Sequence, residues 1–84
     1  MQLRQTSHQV PRGARPDAET EDRIILIKHL RRMRATYQVR LLLFKALETG
    51  KRLDILLTEQ AVVDPSLEEL VHAHPGSIRI EKAG

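Results

Sequence analysis

The 84-residue chain contains no cysteine and no tryptophan, and Tyr37 and Phe44 are its only aromatic residues. The absence of thiols excludes disulfides and thiolate-bound zinc or iron–sulfur sites, and it suits a reducing cytoplasmic compartment. A chain this short buries a modest fraction of its surface, so with neither disulfide nor metal the support left to it is a second subunit. No apolar run reaches the roughly 20 residues needed to cross a bilayer. The first residues also lack the apolar stretch of a secretory signal, and the expectation is a soluble, cytoplasmic protein with no membrane association.

Signatures of chemistry are missing as well. His72 and His74 form an H-x-H pair, but at the end of a helix the two rings diverge, and no third or fourth metal ligand accompanies them. Glu68 and Glu69 are adjacent on a helix and do not face one another. Ser7, Ser66 and Ser77 stand without a glycine elbow or a paired base. No catalytic, cofactor or metal residue is assigned, and the chain is expected not to be an enzyme.

What the sequence does have is charge sorted into blocks. The formal net charge of +3 resides in residues 1–16, where Arg4, Arg12 and Arg15 stand without an acid. Pro11, Gly13 and Pro16 interrupt any helix there, so 1–16 is expected to be a disordered basic tail preceding a single helical domain over 17–84. Beyond the tail the order is acidic (Asp17, Glu19, Glu21, Asp22), then basic across 23–52, then acidic again. Blocks of this kind can neutralise one another, so a high isoelectric point by itself says little about a polyanionic partner.

The apolar pattern predicts a mostly α fold. Asp17 is placed to cap a helix, Gly50 to close one, and no Pro or Gly lies between them, so one helix is expected from about 17 to 49. Leu26, Leu30, Met33, Tyr37, Leu41, Phe44 and Leu47 recur every three or four residues and define its packing stripe. Leu53, Leu56, Leu57 and Ala61 predict a second helix over about 54–63. Asp64-Pro65 starts a third over about 65–73, which Pro75-Gly76 ends. The first two helices form a hairpin. Residues 77–82 alternate and predict a short C-terminal strand, which needs another strand to pair with.

Between 39 and 47 only Arg40 and Lys45 interrupt the apolar residues, and a helix apolar all round must be covered all round. Val39, Leu42, Leu43 and Ala46 are therefore assigned as an interface, with a homodimer or a heteromeric protein partner as its occupant. Lys28, Arg31, Arg32 and Arg34 cluster on the same long helix and are the candidate nucleic-acid contacts, duplex DNA being favoured because no aromatic residue is interleaved for base stacking. In a second arrangement Ile24–Lys28 is a strand and Thr36 caps a shorter helix ending at Gly50. That order resembles a ribbon-helix-helix DNA-binding dimer, an α+β fold whose strand would lie in the major groove. Two functions follow as expectations: a small adaptor, chaperone or accessory subunit acting by protein interaction or oligomerisation, and, as the alternative, a dimeric DNA-binding regulator using a basic helix face.

Overall fold

Two short apolar runs, Ile24–Ile27 and Leu53–Leu57, are separated by one helix-length segment, and this spacing is that of a strand–helix–strand unit. The computed structural model, which describes residues 15–83, has this architecture. Its elements are strands β1 (Ala18–Glu19), β2 (Arg23–Lys28) and β3 (Arg32–Met33), helix α1 (Tyr37–Thr49), strands β4 (Arg52–Thr58) and β5 (Val62–Val63), helix α2 (Pro65–Ala73) and strand β6 (Ile78–Ala83). Strands β2, β4 and β6 run parallel in the order β1-β2-β4-β6, with β1 antiparallel on the outer side of β2. Beyond the main sheet, β3 and β5 form a small parallel pair.

The fold is therefore α+β, and the expected mostly α hairpin is overturned. Residues 17–36 hold no helix, and 54–58 belong to the central strand rather than to a second helix. The physical reason is that a strand paired on both sides reads as a near-continuous apolar run, which periodicity alone cannot tell from a buried helix. In β2 the β-branched Ile24, Ile25 and Ile27 favour the extended form. The ribbon-helix-helix arrangement is overturned too: Thr36 does cap a helix that ends at Gly50, but a strand follows Gly50 where that fold needs a helix. Asp17 caps no helix. Its carboxylate instead accepts the Ile27 N–H at 2.7 Å, anchoring the β1–β2 turn.

Parallel strands need a crossover connection, and here the helices supply it. Six or seven extended residues and a 13-residue helix both span about 20 Å, so α1 returns the chain to the start of the next strand without a long loop. The Thr36 hydroxyl accepts the Val39 N–H at 3.2 Å at its start, and Gly50, at φ 71°, closes its end in the left-handed conformation. Asp64 caps α2 by accepting the Ser66 N–H at 3.0 Å, with Pro65 in the first turn.

Register then decides the core. Ile24, Leu53 and Ile78 are cross-strand neighbours, as are Leu26, Ile55 and Ile80. These two rows form one face of the sheet, and Val39, Leu42, Leu43 and Ala46 of α1 pack on it with Leu67 of α2. Both crossovers step in the same direction, and with the usual right-handed connection both helices fall on that face. The expected tail over 1–16 lies outside the described residues except at Arg15 and Pro16, where the Arg15 carbonyl accepts from Gln38 Nε2 at 3.2 Å.

Leu42 is fully buried. Leu42→Ala is expected to cost about 2–5 kcal/mol in urea denaturation, the range for truncating a packed leucine. Loss of the helix cap in Thr36→Ala should cost about 1 kcal/mol. A cost below 1 kcal/mol for Leu42→Ala would place that side chain outside the core.

Candidate interaction surfaces

With one face of α1 in the core, the residues 180° away must point outward. They are Tyr37, Leu41 and Phe44, with Leu47 at the flank, and three of them are strongly exposed: Tyr37 71%, Phe44 57% and Leu47 46%. Both aromatic residues of the chain thus sit on the outside of one helix. Arg40 and Glu48 lie one turn to either side of Phe44 on the same face, and both are exposed.

This inverts the two stripes expected from the sequence. Val39, Leu42, Leu43 and Ala46, assigned as an interface, form the inner face of α1 and are closed to a partner in this fold. Tyr37, Leu41, Phe44 and Leu47, assigned to packing, form the outer face. The sequence held a signal for the choice: the charged Arg40 and Glu48 are spaced four residues from Phe44 and share its face, whereas the positions three and four residues from Val39 and Ala46 carry no charge. Lys45 reaches the other way, to Glu19 of β1 at 2.9 Å, and Lys51 meets the same carboxylate at 2.6 Å.

A second surface is the end of the sheet to which the parallel strands point. In open α/β sheets ligands bind beyond this carboxyl end, although here the strand order does not reverse to open a crevice. Backbone hydrogen bonds from Val62 N–H to the Arg31 carbonyl (2.7 Å) and from Asp64 N–H to the Met33 carbonyl (2.9 Å) hold the two strand extensions together. The Ser66 hydroxyl accepts the Ala35 N–H at 3.1 Å, tying the starts of both helices to each other. Around the Arg31–Val62 bond lies an open depression of about 480 Å³ lined by His29, Leu30, Arg31, Thr58, Gln60 and Val62.

The four basic residues expected to act together are divided here. None is on a helix: Lys28 ends β2, Arg31 lies in the connection, Arg32 opens β3 and Arg34 follows it. Arg32 is neutralised by Asp64, Nη1 to Oδ1 at 3.0 Å. Arg31 lines the depression, Lys28 lines a smaller hollow of about 110 Å³ shared with His29, and Arg34 lines neither. Lys28, Arg31 and Arg34 have no acidic partner among the described residues.

The third surface is the sheet face away from the helices, which carries Arg23, Ile25, Ile27, Arg52, Asp54, Leu56, Arg79 and Glu81. Its charges answer one another. Asp54, only 2% exposed, accepts two hydrogen bonds from Arg52 at 2.7 and 3.1 Å and a longer one from Arg23 at 3.5 Å, and Arg79 pairs with Glu81. Among the described residues no group of three or more His, Asp or Glu side chains is placed to hold a metal ion, and no helix is long and apolar enough to cross a membrane. No family model matches the chain, and no curated protein or solved structure is significantly similar to it.

Two carboxylates carry the acid response of these contacts. Asp64 is held below its ordinary value of 3.8 by the Ser66 hydroxyl and N–H and then by Arg32. Glu19 is lowered by hydrogen bonds from Lys51 and Lys45. A carboxylate with a lower pKa folded than unfolded stabilises fully above the unfolded value, and the contribution is lost as pH falls through the folded one. Stability measured by urea titration should therefore decline below about pH 4, and Asp64→Asn with Glu19→Gln should flatten that decline. An acid limb of unchanged slope in the double variant would contradict the assignment.

Proposed function

We propose that the protein is a small interaction module that works by docking the outer face of α1 on another polypeptide. The observation that carries this reading is the exposure of Tyr37 and Phe44, its only aromatic residues, on a helix whose opposite side already fills the core. An exposed aromatic–leucine stripe costs solubility and contributes nothing to the fold it sits on. Aromatic side chains are, in contrast, the residues most enriched at the centres of protein interfaces. The flanking Arg40 and Glu48 supply the polar rim that such a patch needs.

The test is site-specific photo-cross-linking with a photoreactive phenylalanine analogue at position 44, and the same analogue at Glu69 of α2 as the control. A discrete protein adduct, identified by mass spectrometry, is expected from position 44 and not from position 69, and it should vanish with Tyr37→Glu and Leu47→Glu. No adduct above the control would overturn the reading.

A second reading, duplex DNA as partner, is supported by one observation: Lys28 and Arg31, which line hollows at the carboxyl end of the sheet, and Arg34, which follows β3, have no acidic partner among the described residues. The contacting surface is then a strand end with its loop, not a helix face. Affinity should fall steeply with salt, and Arg31→Ser with Arg34→Ser should reduce the log–log slope by about 2, since each phosphate contact contributes about 0.9. Absence of binding at low salt would remove this reading.

A further inference from the structure

We infer that the occupant of the α1 outer face is a second copy of the same chain, packed antiparallel about Phe44. The inference rests on the interaction reading above and names its partner. Its basis is a symmetry in the sequence of the exposed face. Arg40 lies four residues before Phe44 and Glu48 four residues after it, so the three form one i, i+4 row along the helix surface. Neither charge has an ion-pair partner among the described residues. Arg40 uses its Nε to donate to the Ala35 carbonyl at 3.1 Å, which holds the guanidinium at the start of the helix with no other acceptor among the described residues.

A two-fold axis beside Phe44 places the residue n positions before it near the residue n positions after it in the other copy. Laying the Arg40–Phe44–Glu48 rows of two copies alongside each other in opposite directions then brings each Arg40 to Glu48 of the second copy, twice per dimer. Packing along such rows is the commonest helix-pair geometry, with axes crossing at about 50°. Phe44 meets its own mate at the centre, as an isologous interface requires, and Leu41 and Leu47 cover the two flanks. The parallel arrangement is disfavoured by the same residues, because it sets Arg40 against Arg40 and Glu48 against Glu48. A heterologous partner would have no reason to match this internal pairing of opposite charges about one aromatic residue.

The charge pairing predicts a reciprocal mutational pattern in sedimentation equilibrium of the full chain. The wild-type protein is expected at twice its 9.6 kDa chain mass. Arg40→Glu and Glu48→Arg, each of which opposes like charges, should each weaken the dimer by about tenfold or more. The combined Arg40→Glu/Glu48→Arg variant should restore it. Both positions are exposed, and an unchanged circular dichroism spectrum verifies folding in each variant. A dimer untouched by the single substitutions, as pairing through the free edge of β6 would give, overturns the inference, and so does a combined variant that stays dissociated. A wild-type chain monomeric at millimolar concentration also overturns it. In that case an adduct from position 44 to a different protein leaves the interaction reading standing, whereas the absence of any adduct removes both.

Discussion

The structure depends on the parallel pairing of β4 with β2 on one side and β6 on the other. A central strand of this kind satisfies its backbone groups only in the sheet, and its two neighbours can be reached only through crossover segments. Each crossover must bury an apolar stripe against the sheet and return the chain over the length of a strand. These demands explain the 13 residues of α1, its capping by Thr36 and Gly50, and the packing of Val39, Leu42, Leu43 and Ala46 on the β2–β4 face formed by Ile24, Leu26, Leu53 and Ile55. Everything left over on the molecule's surface is what that arrangement does not use.

What it does not use is unevenly distributed. The sheet face away from the helices settles its charge internally, through Asp54 with Arg52 and Arg23 and through Arg79 with Glu81. The carboxyl end of the sheet settles Arg32 on Asp64 and leaves Lys28, Arg31 and Arg34 without an acidic partner among the described residues. The outer side of α1 presents both aromatic residues and Leu47 with charges of both signs beside them, while Ile27, Leu30 and Val62 are the other large apolar side chains exposed among the described residues. Parallel sheets are usually covered on both faces. Here the far face carries the ion pairs of Asp54 with Arg52 and Arg23 and of Arg79 with Glu81 among its apolar residues, which suits it to contact with water.

Most of the punctuation was legible in the sequence, Asp17 excepted, and the pairing was not. Gly50 closing α1, Asp64-Pro65 opening α2 and the strand near residues 77–82 all follow from local chemistry that acts over three or four residues. The runs Ile24–Ile27 and Leu53–Leu57 are different, because their state is decided largely by parallel neighbours 25 or 29 residues away in the chain. Leu53, Leu56, Leu57 and Ala61 fit one side of a helix as well as they fit a doubly paired strand, and leucine's helix propensity tips the reading the wrong way. The three isoleucines of β2, crowded into four positions, were the stronger clue that the first half was extended. Residues 39–47 are apolar on nearly every side in the sequence, and which side faces the sheet follows only from where the crossover lands.

Residues 52–58 form the middle strand of a parallel sheet, a placement that nuclear Overhauser effects between backbone protons can check. Cross-strand contacts linking Leu26 to Ile55 and Ile55 to Ile80, with the Ile55 amide among the slowest to exchange with deuterium, are the predicted result. Sequential amide–amide contacts and i to i+3 contacts running from Leu53 to Thr58, the signature of a helix there, would contradict it.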